Sequence, residues 1–269
     1  MGSGIAQVSA KAGFKTILYD VNEDILQKAK TKIESDLQTL VEKQKISTDR
    51  KEDILRQLIF TSDIRHCVAD VIIEAVVEKP EVKTSLFHLL ASFNSDTTLF
   101  ATNTSSLSVS AIAKEIAHPH RVAGLHFFNP APVMKLVEVV RGEQTSDQTI
   151  SELITLTKAF GKTPVVCKDA PGFIVNRVAR PYYIESLRLV EEGIADFEAI
   201  DRLLESKGFK MGPFKLMDLI GNDVNYAVSC SVYEQLNRPG RLEPSSIQRE
   251  KVEKRELGKK TGKGYYNYK

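Results

Sequence analysis

The residues Gly124-Leu125-His126-Phe127-Phe128-Asn129-Pro130-Ala131-Pro132-Val133-Met134-Lys135-Leu136-Val137-Glu138 contain the makings of a general base. An imidazole ends one apolar run and a carboxylate lies on the next. The short connection between the runs favours antiparallel pairing, because a parallel crossover needs a dozen or more residues. Such pairing brings His126 and Glu138 together. A carboxylate beside imidazole fixes its tautomer and stabilises the imidazolium, which suits proton abstraction. The alternative is a structural histidine at a strand end and an unrelated glutamate on an exposed face.

Three further groups could carry chemistry. Asn103-Thr104-Ser105-Ser106-Leu107 follows the apolar run Thr98–Ala101. In open α/β sheets ligands bind beyond the carboxyl ends of strands, where short hydroxyl and amide side chains can bond a substrate oxygen. These serines could instead cap the next helix. Glu78 and Lys83 follow a strand over Val71–Ala75 and either reach a cofactor or form an ordinary charged helix start. Asn176, in Gly172-Phe173-Ile174-Val175-Asn176-Arg177, falls one turn into a predicted helix. Asparagine is unfavourable there, so a hydrogen-bonding duty competes with simple exposure.

At the start of the chain, Gly2 and Gly4 open a small-residue helix that stops at Gly13, and a short strand then ends at Asp20. Glycines at a helix N-terminus admit a pyrophosphate, and a carboxylate about 20 residues further accepts bonds from a ribose diol. That carboxylate also repels a 2′-phosphate, which favours NAD over NADP. A small-residue helix packed closely on a sheet is the competing explanation.

The elements that must position these residues alternate. Strands are expected at Thr16–Asp20, Leu58–Thr61, Val71–Ala75, Thr98–Ala101, Arg121–Phe128, Lys135–Val140 and Pro164–Lys168. Helices are expected at Asn22–Lys45, Lys51–Gln57, Glu81–Ser92, Ser108–Ile116 and Thr149–Phe160. The alternation predicts an α/β, Rossmann-like doubly wound sheet. After Asp169-Ala170-Pro171-Gly172, a turn signal, the patterns are helical: Phe173–Glu192, Phe197–Lys207, Phe214–Leu236 and Ser246–Leu257, with Pro181 expected to kink or interrupt the first. The organisation predicted is a sheet domain over 1–168 and an all-α second domain over 169–269.

Composition excludes several classes. With 37 Lys+Arg against 35 Asp+Glu, the chain lacks the basic footprint of a nucleic-acid binder. No apolar run approaches the ~18 residues of a membrane span. Three scattered cysteines without a C-x-x-C suit a reducing compartment, and a cytoplasmic location is expected. His66, His88, His118 and His120 show no metal-ligand spacing, so no metal is expected. Gly258-Lys259-Lys260-Thr261-Gly262-Lys263-Gly264 lacks the spacing of a phosphate loop.

Taken in order, the segments Gly2-Ser3-Gly4-Ile5-Ala6-Gln7, Asn103–Leu107, Gly124–Pro130, Asp169–Arg177, and Gly212-Pro213-Phe214 with Asp218-Leu219-Ile220-Gly221 closely resemble the L-3-hydroxyacyl-CoA dehydrogenase family, particularly bacterial-type 3-hydroxybutyryl-CoA dehydrogenases. The resemblance spans essentially the whole chain. It implies reversible, NAD-dependent oxidation of a 3-hydroxyacyl-CoA. His126 would take the hydroxyl proton, Glu138 would orient His126, Ser105 would bond the substrate oxygen and Asn176 would place the thioester. Gly2, Asp20, Glu78, Lys83 and Asn103 would line the cofactor. The helical pair after Asp20 would lie near coenzyme A, with Lys43 a contact for its phosphates, and the second domain would form a homodimer. Competing expectations are a related dehydrogenase of a free hydroxy acid or sugar acid and a non-catalytic relative. The family pattern starts with a strand and the first half of the glycine loop, and Met1 stands where the pattern has an internal Met. Without that strand, of about 5–6 residues, exposed apolar surface and weak NAD binding are expected.

Overall fold

The computed structural model describes residues 1–268. The fold divides into two compact units, Met1–Asp169 and Ala170 onward. In the first, α1 (Gly2–Lys11), β1 (Thr16–Tyr19), α2 (Glu23–Glu42), α3 (Thr48–Arg56) and β2 (Leu58–Thr61) precede β3 (Val71–Glu74), α4 (Pro80–Ala91), β4 (Leu99–Thr102) and α5 (Val109–Lys114). Then come β5 (Val122–Phe127), β6 (Leu136–Arg141), α6 (Asp147–Ala159) and β7 (Thr163–Lys168).

The strands form two hydrogen-bonded groups within the Rossmann-like α/β unit. β1 and β2 pair in parallel as one, and β3-β4-β5-β6-β7 form the other. Helix α1 serves both: Ile5 and Val8 pack into the core of the five-stranded sheet, whereas Ala6 and Ala10 pack with Ile33 and Leu37 of α2 and Ile54 of α3. Small residues on opposite sides of one helix permit this. Gly4 eases the passage of α1 by the β5–β6 connection, where an added Cβ would make a tight 3.1 Å contact with the Pro132 ring.

In the five-stranded sheet, period-2 alternation sorts side chains onto two faces. Leu99, Ala101, Ala123, Leu125 and Phe127 join one core with α1 and α6. Phe100 and Val122 join another with α4 and α5. Strands β3, β4 and β5 run parallel, β5 and β6 antiparallel, and β6 and β7 parallel. The antiparallel pair expected across Asn129–Pro132 is therefore present, and its register sets His126 directly opposite Glu138.

Past Ala170 the chain is helical: α7 (Val175–Glu191), α8 (Phe197–Ser206), α9 (Pro213–Ile220), α10 (Asn222–Gln235) and α11 (Ser246–Glu253). Two features depart from the simplest sequence pattern. First, Pro181 does not interrupt α7, which runs through it. Burial of Arg180, Tyr183, Ile184 and Leu187 around the proline outweighs an interior-proline cost of ~3 kcal/mol. Second, Phe214–Leu236 is two helices, broken at Gly221, whose φ of 106° a helix cannot contain. The buried Asp218 carboxylate then anchors the end of the chain, accepting from the Tyr265 and Tyr266 N–H groups at 3.0 Å and the Tyr268 hydroxyl at 2.9 Å. Gly264 is required because any Cβ there would collide with that carboxylate. The glycine-lysine segment is thus held as a structural clamp.

Candidate active site

Alternation along the strands decides which polar groups converge. Ile72 faces the α4/α5 core, so Glu74, two residues on, faces the same way. Thr102 does so next to Phe100, and His126 and Glu138, paired across the ladder, share that face. Gly124 lies between Thr102 and Val140 in the register. An added Cβ there would come within 2.7 Å of Val140 and 2.9 Å of Val109, so glycine is what lets α5 close over the face.

At the carboxyl ends of β4 and β5 these groups form a hydrogen-bonded chain. His126 Nδ1 lies 2.7 Å from Glu138 Oε2, with the histidine 4% exposed and the glutamate fully buried. His126 Nε2 lies 3.1 Å from Ser105 Oγ. A carboxylate can only accept at Nδ1, so that nitrogen carries the proton and Nε2 is left to accept from a hydroxyl. The Phe128 ring, 4.6 Å from the imidazole, covers it with apolar surface. The glutamate is thus neither exposed nor unrelated to the histidine.

The loop holding Ser105 is fixed from beneath. Glu78 Oε1 accepts from the Thr104 hydroxyl at 2.5 Å and from the Ser105 N–H at 2.9 Å. Thr104 Oγ1 accepts from the Leu107 N–H at 2.8 Å. Asn103 Oδ1 accepts from the Phe127 N–H at 2.8 Å, tying the loop to β5. The helix cap that competed with a site at these serines is supplied by another residue: Ser108 accepts from the Ala111 N–H, and its own hydroxyl donates to Asp169.

Lys83 is not part of an ordinary charged helix start. Its side chain is 1% exposed, and its ammonium lies 2.8 Å from Glu74 and 3.2 Å from Glu78. Glu74, which no sequence motif marks, also accepts from the Thr102 hydroxyl at 2.7 Å and the Val76 N–H at 2.7 Å. The sequence signal for it is an acid closing a half-buried apolar strand on the same side as Ile72. Burial raises the Glu78 carboxyl, but the Thr104 hydroxyl, the Lys83 charge and the Ser105 N–H outweigh it and hold Glu78 below its ordinary value.

A depressed folded-state value means that ionised Glu78 contributes stability above its unfolded value, and the contribution disappears as pH falls through the folded one. Glu78→Gln is therefore expected to destabilise the protein by on the order of 1 kcal/mol at neutral pH. Chemical denaturation at several pH values checks this: the gap from wild type should narrow below the usual carboxylate range, and a gap that widens there refutes the assignment.

The other sequence-derived candidates are placed as follows. Gly2 begins α1, whose first turn holds no acidic residue and no side-chain cap, and an added Cβ at Gly2 would meet only Leu18, at 3.8 Å. Asp20 follows β1 and accepts from the Asn22 N–H at 3.0 Å. Open helix amides beside small residues suit a diphosphate, and a carboxylate at the end of β1 suits a ribose diol, so this donor set fits NAD. Lys43 is the exposed C-cap of α2. Asn176 is the second residue of α7. That first-turn position tolerates asparagine, so the propensity argument for a special duty lapses. Cys167 on β7 is pushed up to about 12 by burial and by Glu138 and Asp169, which keeps it a neutral thiol. Among the described residues no helix is long and apolar enough to cross a membrane.

Comparison with known proteins agrees with this architecture. Residues 1–170 match the family described as 3-hydroxyacyl-CoA dehydrogenase, NAD binding domain, and residues 172–268 match its C-terminal domain. A 3-hydroxyadipyl-CoA dehydrogenase of Escherichia coli is 49% identical over 270 residues, covering 100% of this chain; the chain spans 57% of that relative's length. The mitochondrial hydroxyacyl-coenzyme A dehydrogenase of Sus scrofa is 42% identical over 277 residues, with 100% of this chain and 88% of that protein covered. The crystal structure of an (S)-3-hydroxybutyryl-CoA dehydrogenase from Ralstonia eutropha superposes with a TM-score of 0.95 at 34% identity, covering 100% of this chain and 95% of that one.

Proposed function

The chain belongs to the 3-hydroxyacyl-CoA dehydrogenase family, and from that premise we propose that it interconverts short-chain (S)-3-hydroxyacyl-CoA and 3-oxoacyl-CoA with NAD. The observation that carries this reading is the Ser105–His126–Glu138 chain at the carboxyl ends of two parallel strands.

When bound, NAD supplies the hydride acceptor at its nicotinamide ring. The amides at Gly2 and the Asp20 carboxylate would hold its diphosphate and adenosine ribose, with Glu78, Asn103 and Lys83 supporting the cofactor side. His126 Nε2 accepts the proton of the substrate 3-hydroxyl. Glu138 keeps the proton on Nδ1 and stabilises the imidazolium as it forms, and Phe128 limits water at the ring. Ser105 donates to the substrate oxygen, Asn176 places the thioester, and Lys43 meets the phosphates of coenzyme A. A homodimer forms through the second unit, where Val178, Leu219 and Val224 are 72%, 51% and 48% exposed as apolar surface for a second copy to cover.

The test is NADH oxidation with acetoacetyl-CoA, longer 3-oxoacyl-CoAs and free acetoacetate. The four-carbon thioester should give the highest kcat/KM. Equal turnover of the free acid would transfer the chain to the hydroxy-acid class, and a long-chain optimum would overturn the short-chain assignment.

A further inference from the structure

We propose that Ser105, His126 and Glu138 also form an acyl-transfer triad, in which Ser105 is a nucleophile toward short acyl thioesters and activated esters. A triad is defined by geometry and roles rather than by fold or chain order. The required parts are a hydroxyl within hydrogen-bond reach of an imidazole, and a third group that orients that imidazole. Here Ser105 Oγ is 3.1 Å from His126 Nε2, and Glu138 Oε2 is 2.7 Å from Nδ1. The base and its orienting carboxylate are buried, whereas Ser105 is only half-buried, so the nucleophile is the member that an incoming carbonyl can reach. The tautomer fixed by Glu138 is the one that accepts the serine proton.

Ser105 Oγ attacks the acyl carbonyl carbon as its proton passes to Nε2. The carbon–sulfur bond, or the carbon–oxygen bond of an ester, then breaks. The leaving thiolate or alkoxide takes the proton back from Nε2, and the acyl group remains as an ester on Ser105. Water, deprotonated by the same nitrogen, adds to that ester; the carboxylic acid departs and Ser105 regains its proton. No oxidant, reductant or cofactor is consumed.

The same loop limits the reaction. The Ser105 N–H is committed to Glu78, as is the Ser106 N–H, and the Leu107 N–H is committed to Thr104. The turn carrying the nucleophile therefore offers no free amides to a developing oxyanion, and one such donor is worth about 10²–10³ in rate. Good leaving groups acylate the serine without that help, whereas hydrolysis of the resulting alkyl ester needs it more. Acyl-Ser105 should accumulate, giving a burst followed by slow turnover.

The choice of an acyl-CoA as natural donor rests on the proposed dehydrogenase reading; reactivity with an aryl ester does not. The full chain, without NAD, is mixed with para-nitrophenyl acetate and, separately, with acetoacetyl-CoA. Chromophore release, intact-protein mass and peptide mapping are read for wild type, Ser105→Ala and His126→Gln, with circular dichroism melts to verify folding. The expected result is a stoichiometric burst, one acyl group on Ser105, and at least a 100-fold slower burst in both variants. A burst retained in folded Ser105→Ala, acylation at a lysine instead, or no burst from wild type overturns the proposal. NADH oxidation by the same preparations separates the two readings. Normal oxidation without acylation removes only the triad, and acylation without oxidation removes only the dehydrogenase reading.

Discussion

His126→Gln is expected to lower kcat for NADH-linked reduction of acetoacetyl-CoA by about 10³-fold, with KM changed little and the fold retained. The imidazole nitrogen that receives or returns the substrate proton is the part removed. Glutamine approximates the shape of histidine and can still bond Glu138, but its amide has no basic nitrogen. Substrate binding does not depend on that basicity, so the loss falls on the chemical step. A collapse is not the expected source of any loss: His126 is the penultimate residue of β5, whose apolar residues Val122, Leu125 and Phe127 carry the packing. Steady-state kinetics beside a thermal melt distinguish the cases. A folded variant with wild-type kcat would remove His126 as the base.

Glu138→Gln should reduce kcat by about 10²–10⁴, the range for losing an orienting carboxylate in such a pair. The carboxamide is nearly isosteric, so the antiparallel register opposite His126 survives. Its amide nitrogen can donate to Nδ1, which would leave Nε2 protonated and unable to accept from the substrate. It also carries no charge to stabilise the imidazolium. Stability should change far less than activity, because a neutral group replaces a buried charged one at constant volume. The informative comparison is the double variant with His126→Gln. If the two residues act as one unit, the double variant should be barely slower than His126→Gln alone; multiplied losses would show that Glu138 acts independently.

Why these residues were legible in the sequence, and others were not, follows from the range of each signal. The pairing of His126 with Glu138 is local: a short connection forces antiparallel strands, and the alternation does the rest. The helix-strand alternation up to Lys168 and the helical second half are carried by hydrophobic period, which a single sequence displays. The inward turn of Lys83 is not local. It depends on Glu74, nine residues earlier, at the buried end of β3, and only the assembled face brings the two together. The role of Asp218 was equally hidden, since its partners lie 47 to 50 residues further on. The break at Gly221 leaves no mark in the sequence pattern, because the apolar periodicity of Phe214–Leu236 continues across it and hydrophobic period does not report a positive φ.

Single-turnover oxidation of (S)-3-hydroxybutyryl-CoA deuterated at C3 probes the proposed division of labour, in which His126 would take the hydroxyl proton and bound NAD would accept the C3 hydrogen as hydride. NADH formation should be slowed by the deuterium, with the label recovered on the nicotinamide ring. Label recovered in water, with NADH formed at an unchanged rate, would contradict it.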